Sequence, residues 1–463
     1  MNADNTSPLK SRCVARASRP WGCKIYTHTR SAPQRRLISS LRSSALIGGF
    51  ILLAGCQSNK LEREGAKAVE EYFNGDFPRA AERLEKLAAK TDENYVLNNL
   101  RLGSTMLTAH ELNDAEAAYL RAWEVINAGG VNSGGRAIAA VWIDEKLKIW
   151  KGEPYERALA SFQLGLTYYI QNDYNNARAA FENALFKLRD YADKDDEKKG
   201  FSEQESTFVL AHIMLGRTWQ RLGREDMAAD AFATARRLQP RLEALADAST
   251  HANSNVLLVV DYGYGPRKVT DFDGAIVGYA PTPQTATQLP RPEVYIGGQL
   301  YPISTLNEPT IDTVAMAHDR RWQSIDTIRT VKSAVGTGLI AGGAGYGIYR
   351  AGQGDFRGED AAIVAGLIVA GALLKVTSQA DTRSWEMVPR SVYLLPLRLS
   401  PGVHDVTVTF PGTDLQQQWR SLVVPDVGEA TYYMRINRWW PGPFDWPPAS
   451  LVRPSQAQVA TPP

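Results

Sequence analysis

One spacing of small and aromatic residues recurs three times in the first half of the chain. In each copy a glycine is followed by an alanine after twelve residues, an aromatic residue four later and another alanine three later. This spacing predicts a helical hairpin, because small residues let two helix backbones approach and the aromatic ring fills the space between them. The copies are Gly103, Ala115, Tyr119 and Ala122; Gly165, Ala177, Phe181 and Ala184; and Gly216, Ala228, Phe232 and Ala235.

The hairpins resemble the tetratricopeptide repeat, through Leu164-Gly165 with Tyr168 and Leu215-Gly216 with Trp219. We therefore predict such repeats over residues 66–245. An earlier, weaker copy is typical of a terminal capping repeat. Its residues are Ala68, Ala80, Leu84 and Leu87.

The resemblance implies that the first helix of each hairpin lines a groove for a protein or peptide partner. The groove positions include Thr108, Tyr169, Arg217, Gln220 and Arg221. The two arginines would suit an acidic or C-terminal peptide. An equally good interpretation is that they are ordinary exposed arginines.

After Pro240 the composition shifts to valine, tyrosine, glycine and proline, which predicts strands and turns. We expect a β-rich region with a helix at 250–330 and a second β-region at 379–438. Apolar and polar residues alternate from Val403 to Phe410, between two Pro-Gly turns. The stretches "LSPGVHDVTVTFPG" and "VGEATYYMRI" resemble PEGA domains, small β-domains of bacterial envelope proteins.

Between these β-regions, residues 331–378 hold two apolar, glycine-rich runs with small residues four apart. That interval lets two helices touch closely, as in membrane helix pairs, although each run is short for a crossing. Three interpretations stay open: a buried helical hairpin, a patch that dips into a membrane, and a two-helix membrane hairpin. The predicted fold class is α+β: an α-solenoid, then a small antiparallel β-domain with this helical pair inserted. The proline-rich segment 439–463 is predicted to be a disordered tail.

The leader, residues 1–55, holds nine bases, one acid and a short apolar run, as export signals do. Its end, Leu53-Ala54-Gly55 before Cys56, resembles the bacterial lipobox. The resemblance implies cleavage before Cys56 and acylation of its sulfur, which anchors a chain stably in a membrane. Residues 56–65 would form a short tether. Gln57, in place of an aspartate, implies the periplasmic side of the outer membrane.

Cleavage would change the composition that bears on function. Without the nine leader bases and one acid, the formal net charge moves from +2 to −6, which argues against a nucleic-acid partner. Only Cys56 remains of the three cysteines, so no disulfide or thiolate site is available. We found no histidine pair with metal-ligand spacing and no nucleophile motif, and we expect no metal, cofactor or small-molecule substrate.

Over residues 60–437 the chain resembles a family of exported bacterial tetratricopeptide-repeat lipoproteins with no established biochemical role. The resemblance is carried by "KGEPYERALASFQLGLTYYIQNDYNNARAAFENAL" and by "QADTRSW" before a strand. We expect a non-enzymatic scaffold for an envelope protein or peptide, attached to the membrane through its lipid. The alternatives are a membrane-embedded subunit of an export or pore complex and, less favoured, a periplasmic cell-wall hydrolase.

Overall fold

A computed structural model describes most of the chain after the leader. The described residues are 61–128, 149–189, 206–271, 276–281, 291–302, 308–318, 383–412, 415–436 and 444–446. All of them lie in one compact unit, Asn59–Pro463. The predicted lipobox and the glycine-rich pair at 331–378 fall outside the described residues.

Eight helices form four consecutive hairpins. The first helix, α1, covers residues 61–73, so helix begins inside the segment predicted to be a tether. The others are α2 (Phe77–Ala88), α3 (Tyr95–Thr108), α4 (Leu112–Asn127), α5 (Pro154–Ile170), α6 (Tyr174–Arg189), α7 (Val209–Arg221) and α8 (Glu225–Leu238). A short 3-10 turn, Pro240–Leu242, and the helix α9 (Ala248–Ala252) follow.

The same turn closes all four hairpins. Its central residue lies seven positions after the small residue of the repeat and has a positive φ: Gly75, His110, Asn172 and Gly223. The next residue donates its backbone N–H to the carbonyl five residues earlier, at 2.9 Å in every copy. This is the hydrogen bond of a Schellman C-cap, which asks for a residue that tolerates left-handed backbone. The weak first copy is therefore a hairpin of the same kind.

The repeat glycines lie directly against the aromatic residue of their own hairpin. A Cβ on Gly103 would come within 2.6 Å of the Tyr119 ring, and one on Gly165 within 2.8 Å of the Phe181 ring. Tyr119 and Phe181 are almost completely buried. The predicted reason for the spacing, a close approach of two helices beside a ring, is confirmed.

The strands form two larger sheets and one hairpin. The four-stranded sheet has the order β10-β1-β7-β6, the five-stranded sheet has the order β11-β9-β8-β4-β5, and β2 pairs with β3. A short helix, α10 (Thr313–Ala317), follows β6. The strands are β1 (Val256–Tyr262), β2 (Arg267–Asp271), β3 (Ile276–Ala280), β4 (Glu293–Ile296), β5 (Gln299–Tyr301), β6 (Ile311–Asp312), β7 (Ser391–Leu397), β8 (Gly402–Thr409), β9 (Gln416–Val424), β10 (Ala430–Ile436) and β11 (Phe444–Trp446).

The two predicted β-regions build one β-domain. Strand β1 pairs with β7 and β10, and β4 pairs with β8, so each large sheet takes strands from both regions. The two sheets meet at Phe410, whose ring centroid lies 4.7 Å from that of Tyr262 in β1. Both sheets are mixed rather than antiparallel, because β1 pairs with β10 in parallel in one and β11 pairs with β9 in parallel in the other.

Strand β11 lies in the segment predicted to be a disordered tail. It pairs in parallel with β9, with Trp446 opposite Trp419. The proline-rich composition that predicted disorder does not prevent three residues between prolines from completing a sheet edge.

The first helices of the second, third and fourth hairpins, α3, α5 and α7, are buried along most of their length. All 14 residues of α3 are buried, against six of the 16 residues of α4. Strand β10 lies against α3 and α5, which also pack against their partner helices α4 and α6. The β-domain therefore fills the inner face of the helical array, where the repeat pattern predicted an open groove.

The close glycine–ring contacts predict a ranked loss of stability. Gly103→Ala and Gly165→Ala should each destabilise the protein, because overpacking costs about 1–3 kcal/mol and exceeds the gain of about 1 kcal/mol in helix propensity. Gly216→Ala should cost least, since its Cβ would lie 3.0 Å from the Phe232 ring. Urea unfolding of the three variants measures the order.

Phe181→Leu provides the control for the middle variant. A smaller side chain at this position should reduce the cost of Gly165→Ala in the double variant. Equal losses at all three glycines, or no relief from Phe181→Leu, would contradict the proposed contact.

Candidate interaction site

Three predicted groove residues converge on one carboxylate of the same chain, Glu429. Arg217 donates from Nε to Glu429 Oε1 at 3.1 Å, and its Nη2 lies 2.7 Å from Oε2. The Tyr169 hydroxyl donates to Oε1 at 3.2 Å, and Arg221 pairs with Oε2. The Arg217 and Glu429 side chains are 0% and 1% exposed. Arg217 and Glu429 therefore form a bidentate arginine–carboxylate pair, the geometry that a guanidinium group favours.

The position of each group follows from its element. Arg217 and Arg221 are four apart on α7 and so lie on one helix face. Glu429 directly precedes β10, after a turn in which Gly428 has a φ of +93°. That backbone conformation favours glycine, and it brings the only acid of "VGEATYYMRI" to the helices.

A neutral histidine completes the surroundings of Arg217. His251 Nδ1 accepts from Arg217, and its Nε2 donates to the Leu245 carbonyl at 2.6 Å. Burial, together with the charge of Arg217, lowers the pKa of His251 to about 3. Ser254 accepts a further bond from Arg217 at 3.2 Å. The buried guanidinium group of Arg217 is therefore hydrogen-bonded by groups of this chain and needs no solvent partner.

The other two predicted groove residues also bond within the chain. The hydroxyls of Thr108 and Tyr72 lie 3.0 Å apart, and Thr108 is fully buried. Gln220 donates to the Ala248 carbonyl at 3.1 Å. The structure differs from the expectation of a groove open to a separate partner, because the acidic group that this site suits is supplied by Glu429.

A second buried carboxylate, Glu156 of α5, binds the chain just before β7. Its Oε1 accepts the backbone N–H of Trp385 at 2.7 Å, and its Oε2 accepts that of Glu153 at 2.7 Å. Lys268 of β2 lies 3.8 Å away. Burial raises the pKa of Glu156 to about 7, against the opposing effect of Lys268. Glu156 therefore links α5 to β2 and to the segment that precedes β7.

A third buried carboxylate, Asp261 of β1, lies between the sheet and α5. It accepts the Tyr433 hydroxyl at 2.8 Å and the Gln163 amide at 3.4 Å, and Arg435 lies 3.7 Å away. Burial raises its pKa to about 6. Neither this residue nor Glu156 was singled out from the sequence, although a lone acid in the apolar run "VLLVVDY" is a detectable signal.

The segment "RSWEM" begins within the motif "QADTRSW" and ends just after it. It attaches the chain before β7 to the first repeats. Arg383 donates to the Asn94 side chain at 3.0 Å, and Trp385 donates to Ser104 at 3.1 Å. Arg101 holds Glu386 with two bonds, at 3.0 and 2.6 Å. These bonds join the segment before β7 to α3 and to the residue that precedes it.

These clusters are suited to holding elements together, and they bring no reactive set into one place. Within the described ranges, no group of three His, Cys, Asp or Glu side chains is placed to hold a metal ion. Of the helices that the structure describes, none combines the length and apolarity required to cross a bilayer.

No family model matches the chain, and no curated protein matches it. Among solved structures it is similar to two crystal structures of MamA, each with a TM-score of 0.27. They are 19% and 18% identical, and the matches cover 39% and 41% of this chain and 81% and 78% of those chains. It is also similar to BtubC (BKLC) from P. vanneervenii, with 18% identity, 39% and 64% coverage and a TM-score of 0.28. At these scores the likeness carries no conclusion about function.

The buried pair predicts a large effect of one substitution. Glu429→Ala leaves Arg217 buried without its carboxylate, and removal of one partner of such a pair costs about 3–5 kcal/mol of folding free energy. The matched control is Glu386→Ala. Glu386 also pairs with a helix arginine but is 38% exposed, so its loss should cost about 1–2 kcal/mol. Urea unfolding measures both, and equal costs would contradict the central role of Glu429.

Proposed function

We propose that this protein is a non-enzymatic protein-interaction scaffold of the bacterial cell envelope. A lipid on Cys56 would hold it on the periplasmic side of the outer membrane. Its partners would be envelope proteins or peptides involved in envelope assembly, with no cofactor and no nucleic acid.

The observation that supports a scaffold most directly is the stack of four helical hairpins with one shared turn geometry. Stacked hairpins present long surfaces made of helix faces, which suits them to binding other proteins. The described residues bring together buried carboxylates that are each occupied by donors of this chain. Such sites favour a structural role over an acid–base role.

We infer a structural role for the predicted groove residues. Arg217, Arg221 and Tyr169 hold Glu429 and thereby keep the β-domain inside the helical array. A separate acidic peptide would have to displace a buried, doubly paired carboxylate to reach them. The surface left for partners is therefore the outer one.

The location and the scaffold role can be tested with one pair of proteins. Wild-type cells fed radioactive palmitate should yield a labelled chain in the outer-membrane fraction, whereas Cys56→Ser should yield an unlabelled one, because the sulfur carries the acyl chains. When both purified chains are incubated with envelope extract, they should retain the same proteins.

A wild-type chain that takes up no palmitate would contradict the lipid anchor. A chain that retains no envelope protein, with or without the lipid, would contradict the scaffold role. An unrelated periplasmic lipoprotein treated in the same way controls for non-specific retention.

A further inference from the structure

The outer side of the second and third main repeats carries an open groove that the interactions above do not use. It lies between α6, α7 and α8 and has a volume of about 560 Å³. We propose that this groove binds an amphipathic helix of a partner protein, with apolar side chains on one face and a basic residue at its edge. The proposal rests on the scaffold function and names the surface through which it acts.

Two large apolar side chains stand exposed in this groove. Phe186 of α6 is 53% exposed and Met227 of α8 is 38% exposed. In the described parts of α1 to α8, these are the large apolar residues left open to solvent. Both line the same groove, together with Leu215 and Trp219 of α7. Apolar surface concentrated in a concave site is typical of a binding site.

The lining residues follow the helix period on each wall. Glu182 and Phe186 lie on α6, and Met227 and Asp230 lie on α8, at spacings of four and three residues. On each of these two helices, the residues that line the groove extend over two turns, about 10 Å. The walls are helices, whose backbone groups already bond within the helix, so an extended peptide would find no strand edge to pair with. A docked helix satisfies its own backbone and offers side chains at the same period.

The repeat does not require these apolar residues. The corresponding groove one repeat earlier lies between α4 and α6. Its residues are found 62 positions before those of α6 and 51 positions before those of α8. There, Glu124 replaces Phe186 and Asn176 replaces Met227. Of these two grooves, therefore, only the later one has exposed large apolar side chains at these positions.

Side-chain hydrogen bonds cross the earlier groove. Asn183 accepts from the Trp123 indole at 3.2 Å and from the Ser161 hydroxyl at 2.8 Å. Thr234 holds the position of Asn183 in the later groove, and His212 holds that of Ser161. The earlier groove thus has polar contacts at positions where the later one has Thr234 and His212.

The charge of the lining selects a basic partner. Glu182 and Asp230 line the groove, and the guanidinium groups of Arg178 and Arg224 lie over the Trp219 ring, 5.2 and 5.9 Å from its centroid. Each arginine is already paired with an acid, Arg178 with Glu182 at 2.8 Å and Arg224 with Asp226 at 2.9 Å, whereas Asp230 is exposed. Asp230 therefore provides the acid for a lysine or arginine of the docked helix. The earlier groove has Ala179 in its place.

A labelled synthetic peptide tests the proposal by fluorescence anisotropy with the full chain. The probe is a helix of about 14 residues with leucines on one face and lysines on the other. A second probe carries glutamates in place of the lysines. We expect the lysine probe to bind and the glutamate probe to bind about tenfold more weakly or worse.

Variants based on the earlier groove locate the site. Phe186→Gln with Met227→Asn removes the apolar surface without adding charge, at positions where the earlier groove has the polar residues Glu124 and Asn176, and it should weaken the lysine probe about tenfold or more. Asp230→Ala should weaken the lysine probe and leave the weak binding of the glutamate probe unchanged or stronger. Val427→Asn, at a valine that is 89% exposed in the β9–β10 turn, should change nothing.

Three outcomes would overturn the proposal. They are no binding of the lysine probe, equal binding of the two probes, and unchanged binding by the double variant. Sedimentation of the chain alone adds a fourth: self-association that the double variant abolishes would assign the groove to a second copy. If the lysine probe does not bind and the double variant still retains envelope proteins, the groove is not the binding site, but the scaffold function is unaffected.

Discussion

The structure depends on the enclosure of α3, α5 and α7 between their partner helices and the β-domain. These helices bury most of their residues, and α5 runs from Ala158 to Ile170 without a charged residue. A helix of this kind cannot leave one side in water, because burial of its apolar side chains is the main favourable term in folding. The two sheets supply the missing cover. The polar side chains on that side, above all Arg217, then need partners within the chain, and Glu429 meets that need.

This enclosure changes which surface is available for binding. In an open array the inner groove would be the expected contact surface, and its arginines would be expected to meet a separate peptide. Here three buried carboxylates, Glu156, Asp261 and Glu429, occupy the space between the helices and the sheets. Each accepts bonds from groups on other elements, which makes the arrangement specific as well as stable. The proposed binding surface is therefore on the outer helix faces, where the groove beside Trp219 differs from its repeat-related counterpart.

Much of the helical part could be predicted, because its determinants are local. The spacing around Gly103, Gly165 and Gly216 predicted the hairpins and the contacts of their rings. The sheet could not be predicted to the same depth. The parallel pairing of β1 with β10 joins residues far apart in sequence, and alternation within a strand carries no information about its neighbour. The destination of Arg217 was missed for the same reason, although the absence of a polar face on α5 was a signal that the groove is filled. The lipid at Cys56 and the role of the glycine-rich pair stay predictions.

The central claim is that helices and sheets form one cooperative unit around the buried pairs. Hydrogen exchange with mass spectrometry across a urea series tests it directly, since it follows each element separately. Amides of α7 and of β10 should lose protection at the same urea concentration, because neither element is covered without the other. If β10 exchanges freely while α7 remains protected, the β-domain is a separate module, and the account of an enclosed helical array is wrong.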